Sequence, residues 1–157
     1  MSTHTPHAHD GSNSGLTRVA ILATAHCLTG CAIGEIVGLA VATMLGWGNA
    51  AAIALAIGLA FLFGYGLTSL PLVRAGLGVR RAAAIALAAD TVSIAVMEIV
   101  DNGIVLAVPG AMDAGLGDPL FWGSLAVALA IAFVVTVPVN RRLIARGRGH
   151  AVIHARH

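Results

Sequence analysis

The 157-residue chain has no lysine; its nine basic residues are all arginines, and each sits near the end of an apolar run or beyond it. Charge of either sign is scarce. Asp, Glu, Lys and Arg make up 10% of the chain, against roughly 25% in a soluble domain, and 58% of the residues are hydrophobic. With a mean hydropathy of +0.90, this excludes an ordinary soluble domain. Only two cysteines are present, and they form no C-x-x-C pair, which argues against a quinone-linked thiol oxidoreductase. The sequence has no nucleophile–base pair, phosphate loop or zinc hydrolase motif, so an enzyme is not expected. The formal charge of +2 gives no case for nucleic acid, because topology explains the arginines.

The pattern predicts an all-α membrane protein with four spans, at about 17–46, 50–73, 80–108 and 119–144. Gly46-Trp47-Gly48-Asn49 and Arg74-Ala75-Gly76-Leu77-Gly78 read as tight turns, and Pro109 to Pro119 reads as a longer loop. Arg74, Arg80 and Arg81 mark the second connection. Five further arginines follow residue 140, and Arg18 stands at the front. The other two connections carry none, so the positive-inside rule places both termini in the cytoplasm of a multi-pass inner (plasma) membrane protein. Trp47 and Trp122 then fall at the outer interface. Three regions follow: a disordered tail over 1–16, a four-helix membrane domain over 17–146, and a C-terminal tail over 147–157. Leu28-Thr29-Gly30-Cys31 also matches a bacterial lipobox. The interrupting His26 and the apolar sequence after Cys31 argue against processing there.

Four acids, Glu35, Asp90, Glu98 and Asp101, lie inside the apolar runs with no basic residue beside them. A charge at the bilayer centre costs on the order of 2.5–3.5 kcal/mol on insertion scales. Each acid therefore needs a proton, a hydrogen bond or a mobile cation. In the first helix Cys27, Cys31 and Glu35 step by four and drift by about 40° per step, with His26 next to the first of them. Gly30, Gly34 and Gly38 form a small-residue ridge beside them, suited to close approach by another helix. In the third helix Asp90, Ser93, Met97 and Asp101 fall within about 80° of one another, flanked by Glu98 and Asn102. The candidate metal ligands are thus His26, Cys27, Cys31, Glu35, Asp90, Met97, Glu98 and Asp101. Thiolate, thioether and imidazole favour Cu(I) first and Zn(II) next, whereas carboxylates alone favour Mg(II), Ca(II) or Mn(II).

An internal echo runs through the chain. Glu35-Ile36-Val37 returns as Glu98-Ile99-Val100, an offset of 63 that sets Cys27 on Asp90. Ser69-Leu70-Pro71 to Arg74 returns as Thr136-Val137-Pro138 to Arg141. Two parallel-repeated helical hairpins are one reading and chance similarity of apolar segments is the other. Pro71 and Pro138 are expected to kink their helices, with Tyr65, Thr68, Ser69 and Thr136 placed either to satisfy the freed carbonyls or to line an inner vestibule. His4, His7 and His9, and His150, His154 and His157, give both tails a weak metal-binding composition.

The string from His26 to Glu35, the runs Ala89–Ser93 and Met97–Asn102, and the ending from Pro138 to Ala151 resemble a family of short membrane proteins catalogued only as a domain of unknown function. Members of that family are often met near copper-handling proteins. The resemblance covers about residues 19–154. It implies the four-helix membrane domain and favours a soft metal, but supplies no activity and no ligands. Cys27-x-x-x-Cys31 also shares the spacing of the Met-x-x-x-Met motif of Ctr-type copper transporters, an analogy of spacing alone. The reading is a small transporter or channel for a soft metal cation, Cu(I) foremost, acting as a homo-oligomer in the lipid bilayer. The alternatives are a proton-coupled or hard-cation carrier using the carboxylates, and a non-transporting membrane scaffold or assembly factor.

Overall fold

The computed structural model describes residues 10–146. Four helices follow in order: α1 (Asp10–Met44), α2 (Asn49–Arg74), α3 (Val79–Ala107) and α4 (Pro119–Ala145). A single 3-10 turn, Ala111–Asp113, lies between α3 and α4, and no strand occurs among the described residues. The shortest helix has 26 residues, about 39 Å at 1.5 Å per residue, which exceeds a hydrocarbon core of about 30 Å. Each helix contains an 18-residue stretch of mean hydropathy between 1.7 and 2.4. The chain is a multi-pass, all-α membrane protein.

The last three helices begin and end within one residue of the expected bounds. α1 differs, starting at Asp10 and not near residue 17, so 10–16 are helical where a disordered tail was expected. Extending a helix already nucleated by the apolar run adds one hydrogen bond per residue fixed, which carries Gly11-Ser12-Asn13 along despite weak propensity. The remaining tail residues, with His4, His7, His9, His150, His154 and His157, lie outside the described residues. α1 runs unbroken through Cys31, and α2 and α4 run through Pro71 and Pro138.

Two helix ends close in the same way. Gly46, at φ 67°, donates to Thr43 O, and Trp47 donates to Ala42 O at 2.9 Å. Gly76, at φ 94°, donates to Val73 O, and Leu77 donates to Leu72 O at 3.0 Å. Both are Schellman closures, in which a residue without Cβ takes the left-handed position. At the start of α4, the Asp118 carboxylate accepts from Leu120 N at 2.8 Å, with Pro119 as the first helical residue.

The helices pack as a ring in chain order, α1 beside α2, α2 beside α3, α3 beside α4 and α4 beside α1, with α1 and α3 also touching across the middle. The glycine ridge of α1 lies against α2 of the same chain. A Cβ at Gly34 would fall 2.3 Å from Ala60 N, at Gly38 2.6 Å from Ala56 Cα, and at Gly30 2.8 Å from Gly64 Cα. The ridge is consumed within one chain and is not free to form a subunit interface. Leu62, Ile99 and Val134 face outward, whereas Asp90, Ser93 and Thr136 are fully buried. Polar groups are thus turned inward and the apolar ones toward lipid.

Candidate functional site

The buried polar groups form a column between α1, α3 and α4. α1 and α3 run in the same direction, so rising residue numbers in both climb toward the end of the bundle that carries the 45–48 and 108–118 connections. At the opposite end Asn140 of α4 ties three helices together. Its amide donates to Thr24 Oγ1 at 2.8 Å, its carbonyl accepts from Ser93 Oγ, and Thr24 in turn donates to Ala20 O at 2.7 Å. Asn140, Thr24 and Ser93 are all buried.

Cys27 and Asp90 come next. The thiol points at Asp90 Oδ1 across 3.7 Å, and both side chains are buried. These two positions are 63 residues apart, the offset of the internal echo. One turn along α1, the Cys31 thiol lies 4.0 Å from Met97 Sδ and also beside the Glu98 carboxyl. Both sulfurs are in an apolar cluster with Ala60, Ile94 and Ala132. One turn further, the Glu35 carboxyl lies against that of Asp101, with Glu98 close by. Asn102 holds Glu98 in place, donating to its backbone carbonyl at 2.9 Å and to Oε2 at 3.3 Å.

Above this level the column opens. A cavity of about 90 Å³ is lined by Glu35, Asp101, Asn102, Asn49 and Ser124 among others, which is room for several waters. Asn49, at the start of α2, donates to Asp113 Oδ1 at 3.2 Å and so ties the 3-10 turn to the rim. Trp47 and Trp122 are exposed near this end, the indole of Trp122 donating to Leu116 O at 2.8 Å.

Seven of the eight proposed ligands therefore face the column, though as neighbouring pairs. His26 does not join them: it is half-buried, one residue and about 100° around α1 from Cys27. Among the described residues no three His, Cys, Asp or Glu side chains are gathered as a ready-made metal centre. Tyr65, read as a helix-end group, instead meets Thr91 of α3 at 2.9 Å, while the buried Thr68 and Thr136 hydroxyls bond nothing. Sequence reasoning missed Thr24, Asn140 and Asn49 as parts of the column. Asn140 stands one turn from Thr136 on an otherwise apolar helix, and that spacing was a usable signal.

No curated protein and no solved structure matches this chain. A family model, described as a domain of unknown function (DUF4396), matches residues 17–149, so the chain belongs to the DUF4396 family.

Proposed function

We propose that this protein carries a soft metal cation, Cu(I) foremost and Zn(II) next, across the inner (plasma) membrane with both termini in the cytoplasm. The observation that supports this reading best is the pair of buried sulfurs, Cys31 Sγ and Met97 Sδ, 4.0 Å apart at mid-column. Two metal–sulfur bonds of about 2.3 Å each reach up to about 4.6 Å, so one soft ion fits between them with little movement. Glu98 stands beside Cys31 as a third donor and a counter-charge. Thiolate with thioether selects soft ions.

Cys27 with Asp90 lies one turn away on one side, and Glu35 with Asp101 one turn away on the other. Steps of four residues rise about 6 Å. Pairs of donors at that interval, none a complete cage, suit an ion that must be bound and then released. Conduction requires the Asn140–Thr24–Ser93 network to open. The ladder lies inside one chain, so it needs no second copy, and homo-oligomerisation would serve stability or gating. No catalytic function is proposed.

The test is bound metal per chain after anaerobic loading with Cu(I), in wild type and in Cys31→Ser, followed by flux into liposomes. Cys31→Ser is expected to lose at least tenfold in Cu(I) affinity while keeping its helical content. Unchanged affinity would overturn the soft-metal reading. The proton or hard-cation carrier would then lead, resting on the Glu35–Asp101 pair, with a scaffold as the outcome if no ion moves.

A further inference from the structure

We propose that the cavity above the sulfurs is itself a site, built mainly of oxygen donors, for a hard divalent cation. Its floor is the pair Glu35 and Asp101, which are 9% and 3% exposed. Glu35 Oε1 and Asp101 Oδ1 have no hydrogen-bond partner although both are buried. A buried carboxylate oxygen without a partner costs free energy unless something fills the place. Two such oxygens on carboxyls that lie against each other border a cavity of about 90 Å³, where a shared proton or a cation of charge two would satisfy them.

The rest of the lining completes the argument. Asn49 spends its amide N–H on Asp113, and Asn102 spends its own on Glu98. Both residues then have a side-chain carbonyl oxygen to offer the cavity, with one further N–H left on Asn49. The Ser124 hydroxyl donates to Phe121 O at 3.0 Å, so toward the cavity it too is an acceptor. Met112 brings a single thioether to the lining, and no cysteine and no histidine lines this space. Two carboxylates, two amide carbonyls, a hydroxyl and room for water outnumber the one thioether and make a donor set that favours Mn(II), Ca(II) or Mg(II) over Cu(I). The site shares the Glu35–Asp101 pair with the proposed ladder and needs none of the ladder's sulfurs.

The experiment uses the full chain in detergent and follows Mn(II) by loss of the free-ion electron paramagnetic resonance signal, with Ca(II) as competitor. Wild type is expected to bind one Mn(II) per chain that Ca(II) displaces. Glu35→Gln and Asp101→Asn should each weaken it by at least tenfold, while Cys31→Ser leaves it unchanged. Asn49→Ala keeps both carboxylates at an exposed helix start, so it serves if the acid variants fold poorly; it should weaken binding by about tenfold. The site is overturned if wild type holds no Ca(II)-displaceable Mn(II), if Asn49→Ala and the folded acid variants bind as wild type does, or if Cys31→Ser abolishes binding. Loss of Cu(I) binding without loss of Mn(II) binding, or the reverse, separates failure of one reading from failure of the other.

Discussion

α1 carries two ladders of the same period, one position apart, and they meet opposite demands. Gly30, Gly34 and Gly38 face α2, where an added Cβ would fall within 3 Å of its backbone. Cys27, Cys31 and Glu35 face α3, where Glu35, Glu98 and Asp101 each keep a buried oxygen with no partner. Close-packed interfaces earn stability through contact and tolerate no extra volume. Unsatisfied buried carboxylates do the reverse, and such groups persist where function requires them. One side of the helix is therefore built to hold the bundle, and the other to hold something that comes and goes.

The largest effect should come from breaking the packed side. Gly34→Ala places a methyl 2.3 Å from Ala60 N, where only movement of α1 away from α2 relieves the overlap. We expect a loss of about 3 kcal/mol, read as a sharp fall in apparent Tm in detergent. Gly64→Ala gives a finer comparison. Its new methyl would meet Ile94 Cδ1 at 2.5 Å, the free end of a flexible side chain, so a loss of about 1 kcal/mol is expected. If both variants melt alike, the contrast between rigid backbone and yielding side chain is wrong.

Next in size is the closed end of the column. Asn140→Leu removes a donor to Thr24 and an acceptor from Ser93 in one change. Hydrogen bonds between membrane helices average about 0.6 kcal/mol, and the strongest reach about 1.7, so a loss of about 1–2 kcal/mol is expected in the same melt. In liposomes the variant should also leak, since a buried hydrogen-bonded network across three helices is the barrier proposed for conduction. A stable, tight Asn140→Leu would mean that the seal lies elsewhere.

How far these two sides were legible follows from the same physics. The spans were legible because apolar runs end at glycines that adopt positive φ, as at Gly46 and Gly76. The glycine ridge announced a close helix, but its period could not say which one. Ala56, Ala60 and Gly64 of α2, also four apart, held that answer. The acids and cysteines announced a polar interior, and the offset of 63 already set Cys27 on Asp90, which the fold brings into contact. Asn49 read only as a turn residue, because its partner Asp113 is 64 positions away and a 3-10 turn brings it near. His26, next to Cys27 in sequence, stands about 100° from it around α1, because adjacent residues on a helix are separated by that angle.

The smallest effect should have the opposite sign. Glu35→Gln keeps the shape of the side chain, removes one of two facing carboxylates, and adds an N–H₂ that can donate to Asp101 across the existing contact. Replacing an uncompensated buried ionisable group by a neutral isostere is often neutral or stabilising. We expect a gain of about 0.5–1 kcal/mol in the metal-free protein, seen as a small rise in apparent Tm. Divalent cation should raise the Tm of wild type, since a ligand that binds only the folded state stabilises it, and should leave Glu35→Gln unmoved. The two melting points then converge or cross as the ion is added. A Glu35→Gln that melts well below wild type without any ion would show that Glu35 is a packing residue, and the two ladders of α1 would be doing the same job.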